Sequence, residues 1–280
     1  MVPTKQDNPA VPITVGEIVA DARRCYDAGA SLVHVHARDE DGQPTVQKEI
    51  HESIITGIRA ACPGMLICGS TSGRTHKRFE QRAVVLDCLP DLASLTMGSL
   101  NFPKQASVNA PDMIQALAKA MLDRGIVPEL EFFDLGMIDY ARDYMIRKRL
   151  LVKPFYANLL LGSLGTVAAN PYNLVVMVRA LPKDMTWSAT GIGRSQFPIN
   201  ALAVTMGGHV RVGLEDSLWY DAAKTQPATN AGLIDRVVQV ARAVGREPAS
   251  PEEARQMIGI SARTREHANW SVAAAQEVVR

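Results

Sequence analysis

Residues 29–41 read GASLVHVHARDED, a run that starts on a helix-stopping glycine, continues as a strand and places two histidines one residue apart. Strand side chains alternate between faces, so His34 and His36 share one face and Val33 and Val35 the other. A strand buried in a parallel sheet is apolar on both faces. Two imidazoles on one face therefore mean that this side serves something besides packing. Immediately upstream, residues 12–30 (PITVGEIVADARRCYDAGA) form an amphipathic helix that opens on a Thr14/Glu17 capping box and stops at Gly29. Helix, tight stop and buried strand together make the repeating unit of a parallel α/β fold.

The same alternation runs along the chain. Strand patterns recur at SLVHVHA (31–37), MLICGS (65–70), LASLTMG (92–98), VPELEFF (127–133), PFYANLLLG (154–162), MTWSATG (185–191) and HVRVGLE (209–215), with helical stretches between and after them. No low-complexity linker or break in composition divides the array, so the reading is one domain over 1–280. Strict alternation predicts a parallel sheet with helices outside, the α/β class, as a (β/α)8 TIM barrel. A closed barrel needs one strand more than the seven segments quoted. Residues 1–13 are proline-rich and polar where a first strand belongs. The expectation is a barrel lacking its first strand in this chain, either open or completed by a strand upstream of Met1. No GxGxxG follows an early strand, which disfavours a doubly wound dinucleotide fold.

Composition narrows the function classes. A formal net charge of +1 gives no electrostatic case for nucleic acid or an acidic membrane surface. No apolar stretch is long enough to span a bilayer, and the N-terminus lacks a signal-peptide pattern, so a cytoplasmic protein is expected. Cys25, Cys62, Cys68 and Cys88 have no CxxC spacing and read as reduced packing thiols.

Polar residues gather where barrel strands end, the position of reactive groups in such folds. Ser70 is in phase with Cys68. Ser94 and Thr96 share a face, with Asn101 just beyond, and Glu129 and Glu131 share another. His209, Arg211 and Glu215 are in phase on the last strand pattern, with Asp216 at the rim. Two like-charged carboxylates on one buried face call for a cation. Arg211 pairs with either Glu215 or Glu131. Two histidines and a carboxylate from another strand leave a coordination position open, the pattern of a catalytic zinc site, although iron, manganese or cobalt suits the same donors. A metal-dependent amidohydrolase would need further strand histidines. Of His51, His76, His209 and His267 only His209 lies on a strand, so that constellation is incomplete.

Taken in order, ASLVHVHARDEDGQPT (30–45), GSTSGR (69–74), MGSLNF (97–102), VPELEFFDLGMI (127–138), ATGIGR (189–194) and GGHVRVGLEDS (207–217) resemble the β-keto acid cleavage enzyme family over roughly residues 3–260. The resemblance implies a zinc-dependent barrel, a homo-oligomer (dimer or tetramer), that converts a β-keto acid and acetyl-CoA into acetoacetate and a new acyl-CoA. It makes His34, His36 and Glu215 the zinc ligands. Asp216 becomes the base that takes a proton from the acetyl methyl of acetyl-CoA, oriented by Arg211 and Ser70. Ser94 and Glu131 hold the keto acid, with Thr96 and Asn101 at the same rim. Apart from the resemblance, GIGRSQ (191–196) offers Arg194 and backbone amides near a strand end to a CoA phosphate. Val2 stands where the family member acting on an amino-bearing substrate carries an acid, and Thr96 where it carries an amide. A different keto acid, neutral or apolar at its distal end, is therefore expected. The same ligands would also serve a metal-dependent aldolase or acyl-CoA lyase without CoA exchange, or persist in an inactive structural barrel.

Overall fold

The computed structural model describes residues 3–102 and 105–261. Helix α1 (Val15–Asp27) begins on the expected capping box: Thr14 Oγ1 accepts from the Glu17 amide while the Glu17 carboxylate accepts from the Ile13 and Thr14 amides. Gly29, at φ +104°, adopts a backbone conformation that side chains resist and turns the chain into β1 (Leu32–Val35). There follow α2 (Lys48–Ala61), β2 (Leu66–Gly69), α3 (Phe79–Ala83), β3 (Leu92–Thr96), a small antiparallel pair β4 (Leu100–Asn101) and β5 (Ala106–Ser107), and α4 (Pro111–Asp123). The remainder is β6 (Val127–Phe132), α5 (Leu135–Asp139), β7 (Tyr156–Leu161), α6 (Pro171–Ala180), β8 (Thr186–Gly191), α7 (Gln196–Thr205), β9 (His209–Val210), α8 (Asn230–Ala243) and α9 (Pro251–Ile258).

The main sheet has seven strands in the order β1-β2-β3-β6-β7-β8-β9, every neighbouring pair parallel. It curls until residues following the two edge strands touch: His36 Nε2 lies 3.0 Å from Glu215 Oε1. Among the described residues β1 and β9 do not pair with each other, which leaves a strand's width open in the wall. The fold is thus the α/β barrel type expected, with no strand between β1 and β9 among the described residues. The centre of the sheet is dry, β7 being buried throughout, whereas β1 and β9 are mostly half-buried.

Two elements differ from expectation. The segment 209–215 is not one strand. The ladder extends one residue past β9, through the Arg211 amide to the Ala189 carbonyl, and the chain then folds into a turn in which the Asp216 amide donates to the Gly213 carbonyl. After α5 the backbone widens into a π-helical stretch, Tyr140–Ile146, where a single helix was expected.

Apolar residues from both sheet faces complete the body. Ile54, Ile58, Leu95, Leu117 and Leu159 lie in the layer between strands and helices. Leu66, Leu92, Val127 and Tyr156 meet Ala254 and Ile258 of α9, which closes the amino-terminal end of the barrel. Asp91 anchors that plug, accepting from Arg255 Nη2 at 3.0 Å and from the Ile67 amide at 3.1 Å. Among the described residues no helix is long and apolar enough to cross a membrane.

The start of α7 folds back tightly on the end of β8. A Cβ on Gly191 would lie 2.2 Å from the Ser195 carbonyl oxygen, a backbone contact with nowhere to move, whereas a Cβ on Gly16 in α1 would meet nothing within 4 Å. Gly191→Ala is expected to cost about 1–3 kcal/mol. Gly16→Ala should stabilise by about 0.4–1 kcal/mol through lost chain entropy in the unfolded state. Urea-unfolding midpoints of both variants check the opposite signs.

Candidate functional site

Curling brings together side chains from β1, β3, β6 and the turn after β9. The donor atoms of His34, His36 and Glu215 all lie within 4.8 Å of one another. His34 Nε2 is 3.2 Å from His36 Nε2 and 3.9 Å from Glu215 Oε2. Across the bore, His34 Nδ1 meets Glu129 Oε2 at 3.2 Å. Burial works against the ionised form of Glu129, but the His34 hydrogen bond and Arg211 outweigh it and bring its pKa down to about 2. An ionised Glu129 only accepts, so Nδ1 donates in this contact and Nε2 is the ring nitrogen that faces His36 and Glu215.

His36 is held neutral, its pKa pushed down to about 3 mainly by burial. Burial opposes ionisation of Glu215, yet His36 keeps its carboxyl well below the usual range. The set is therefore two imidazoles and a carboxylate, the donor chemistry of a catalytic zinc centre. A second combination, His34, Cys68 and Glu129, is close enough but chemically unfit. Burial pushes the Cys68 thiol well up, and it donates to Glu129 Oε2 at 3.0 Å. A cysteine that keeps its proton is a poor metal ligand.

Arg211 stands at the middle of the charges. Nη2 donates to Glu215 Oε2 at 2.7 Å and Nη1 to Glu131 Oε1 at 3.3 Å, while Nη1 lies 3.8 Å from Glu129 and Nε 3.5 Å from Asp216 Oδ2. The question of its partner has the answer that it serves both Glu215 and Glu131. Burial alone would weaken its charge, but this ring of carboxylates holds its pKa well above the ordinary value. Four carboxylates surround this one guanidinium, an excess of buried negative charge that a divalent cation between His34, His36 and Glu215 would offset. Asp216 behaves unlike its neighbour Glu215. Burial, with repulsion from Glu215, raises its pKa to about 7 against the pull of Arg211.

The remaining expected residues divide. Thr96 Oγ1 donates to Glu131 Oε2 at 2.7 Å and so belongs to the cluster. Burial dominates at Glu131, whose pKa is raised despite Arg211. Ser94 is buried opposite Glu129 in the sheet register, its Oγ accepting from the Thr71 amide at 3.1 Å. Ser70 shares a cavity wall with His36, but among the described residues its hydroxyl bonds only the Ser72 amide and does not reach Arg211 or Asp216. Asn101 is exposed on β4, paired with Ala106, with no hydrogen bond to the cluster among the described residues. Arg194 is exposed on a 3-10 turn and lines a cavity of about 260 Å³ together with Asp216, Ser217 and Lys224. Val2 and His267 lie outside the described residues. His51 and His76 bond backbone carbonyls of Thr45 and Pro44, away from the donor set.

Sequence reasoning undervalued Glu129, which was visible as a buried carboxylate but whose partner on β1 lies 95 positions away. It missed Asn158 on β7, buried beside Glu131 in the sheet register. Its Oδ1 accepts from Thr190 Oγ1 at 2.8 Å, and its Nδ2 is buried without a hydrogen-bond partner. An asparagine inside an otherwise apolar strand, YANLLL, was the available signal.

The profile of the beta-keto acid cleavage enzymes matches residues 1–260. A 3-keto-5-aminohexanoate cleavage enzyme of Fusobacterium nucleatum is 41% identical over 258 residues, covering 92% of this chain and 93% of that protein. A 3-oxoadipate:acetyl-CoA acetyltransferase of Cupriavidus necator is 36% identical over 261 residues, covering 92% and 91%. Among solved structures, apo ObcA is similar in fold with a TM-score of 0.81 at 21% identity; the match covers 91% of this chain and 66%, just under two thirds, of that one. With the profile matched over nearly its whole length and relatives this similar, the chain belongs to the beta-keto acid cleavage enzyme family.

Proposed function

We propose that this enzyme is an acyltransferase that takes a β-keto acid and acetyl-CoA to acetoacetate and a new acyl-CoA, and that it depends on zinc. The observation that carries the reading is the convergence of His34 Nε2, His36 Nε2 and Glu215 beside an Asp216 held against Arg211. A divalent cation bound by His34, His36 and Glu215 would supply a Lewis acid that polarises the ketone and steadies the enolate oxygen.

The atoms of the products decide which proton Asp216 must take. Acetoacetate carries the acetyl group intact, CH3–CO, joined to a CH2–COO⁻ unit that only the keto acid supplies. The new carbon–carbon bond therefore joins C2 of the keto acid to the acetyl carbonyl. Removing a proton from the acetyl methyl, as the resemblance suggested, would build an adduct that returns only the starting pair after CoA exchange. Asp216 instead takes the C2 proton, which is the more acidic because the ketone is adjacent. The C2 carbanion attacks the thioester carbonyl and expels CoA thiolate. The thiolate then adds to the C3 ketone, the C2–C3 bond breaks with its electron pair returning to C2, and Asp216 gives back its proton. Arg211 fixes Asp216 through Nε and balances the developing charge. Glu131, steadied by Thr96 Oγ1, and Ser94 face the keto acid, with Ser70 and Asn101 at the rim. Arg194 and Lys224, beside Asp216 in one cavity, suit a phosphate of CoA.

Acetyl-CoA deuterated in its methyl should give acetoacetate that keeps all three deuterons. Their loss to solvent in the product, followed by mass spectrometry, would return the base to the acetyl methyl. Asp216→Asn is expected to lower kcat by about 10²–10⁴-fold at unchanged zinc content. His34→Ala should lose metal and turnover together, measured by elemental analysis and acetoacetate release on the same preparation. Full zinc occupancy in that variant contradicts the ligand set, and product formed without added thioester contradicts the transferase reading.

A further inference from the structure

A cavity of about 250 Å³ opens from His36 and Ser70 toward the loop after β2. Its walls carry the guanidinium groups of Arg38, Arg74 and Arg82 and the ring of His76, and no aspartate or glutamate is among its lining residues. None of the three arginines forms a salt bridge among the described residues. Arg38 donates to the carbonyls of Gly42 (2.8 Å) and Pro3 (2.6 Å). Arg82 donates to the Thr71 carbonyl and to Asn109 Oδ1, both at 2.8 Å. These two are buried and serve loop backbone. Arg74 differs: its side chain makes no hydrogen bond among the described residues, and its Nε is buried without any partner.

Its guanidinium carbon sits 3.7 Å from the centroid of the Phe102 ring, which supports the group from one side while its own plane stays available. A rigid planar fork held in this way matches an oxyanion bidentately, and buried charge is ordinarily paired. The carboxylates of Glu215, Glu131 and Asp216 act on Arg74 through space, so the cavity adjoins the reaction centre, yet none of them bonds it.

We infer that this cavity is an oxyanion subsite, with Arg74 its recognising residue, for a carboxylate or phosphate group of a ligand that reaches from the His36 side. The inference rests on the keto-acid reading above for the identity of that ligand. Beyond the C1 carboxylate that every β-keto acid carries, two oxyanions are candidates: a second carboxylate at the distal end of the keto acid, and the phosphates of CoA. The basic lining shifts the expectation of a neutral or apolar distal group toward an anionic one.

The test compares wild type with Arg74→Gln and Arg74→Lys on two keto acids of equal chain length, 3-oxoadipate and 3-oxohexanoate, with acetyl-CoA varied. Binding of adipate alone is followed by calorimetry. A distal carboxylate in the cavity predicts that the ratio of kcat/KM for 3-oxoadipate over 3-oxohexanoate falls about 10–100-fold in Arg74→Gln and less in Arg74→Lys, with adipate weakened in parallel. A CoA phosphate there predicts a rise in KM for acetyl-CoA by a similar factor with both keto acids and an unmoved ratio. Arg74→Gln gives up only the contact with Phe102, with no hydrogen bond or salt bridge among the described residues, so its melting temperature should stay close to the wild-type value in either case. An unchanged ratio, unchanged acetyl-CoA KM and equal adipate binding overturn the inference, as does a lowered melting temperature accompanied by those unchanged constants. Should wild type turn over neither keto acid, the proposed function fails, while adipate binding to wild type and variant still decides the cavity.

Discussion

Arg211 is the constraint around which the barrel interior is organised. A guanidinium buried in the bore is tolerable only if carboxylates meet it, and carboxylates buried there are tolerable only if a cation meets them. Glu131 and Glu129 from β6 and Glu215 and Asp216 from the turn after β9 satisfy that mutual requirement. The pairing is not balanced, however. Four acids against one arginine leave surplus negative charge, and the protein distributes it unequally. Glu129 and Glu215 are held ionised by direct bonds to histidine, whereas Glu131 and Asp216 are pushed toward their protonated forms. Adjacent carboxylates in one site thus acquire different chemical characters, which is the usual way one pocket comes to hold both ligands and bases.

The curled sheet makes that arrangement possible at little cost in flexibility. His34 reaches Glu129 across strands 95 positions apart in sequence, and Arg211 approaches within 3.5 Å of His34 across 177. Both contacts follow from strand order and register, so each side chain stands on a rigid element and not on a wandering loop. The polar layer lies above a dry floor of Leu66, Leu92, Val127 and Tyr156 sealed by α9. That floor keeps the dielectric low beneath the charges, so each charge–charge contact is stronger than it would be in water.

How much of this is legible in the chain depends on whether a feature is local. The capping box of α1, the seven strand segments and the shared face of His34 and His36 follow from short-range periodicity, which the structure reproduces. Glu215 is instructive: alternation placed it in phase with His209 and Arg211 and the family resemblance made it a ligand, yet the strand stops at Val210 and a turn delivers the carboxylate instead. Helical phase failed at 140–146, where propensity cannot distinguish an α-helix from its wider π form. Glu129 and Asn158 were hard to rank because their significance lies in partners across the bore. Ser70, Asn101 and Arg194 sit where loops determine aim, and there sequence spacing carries no directional information.

Arg74 shows the same limit from the other side. Nothing in GSTSGR distinguishes an arginine that closes a loop from one that waits for a ligand; only the bonding of its neighbours does. Arg38 and Arg82 spend their donors on carbonyls and an asparagine, and those bonds hold the loops that shape the cavity. With the walls already secured, a third cation stands over Phe102 without a hydrogen bond of its own among the described residues. Carboxylates crowd around Arg211, while arginines line the neighbouring cavity with no aspartate or glutamate among them. A ligand with an acidic end and an electron-poor carbonyl would be oriented by Arg74 at one end while Arg211 and its carboxylates act at the other.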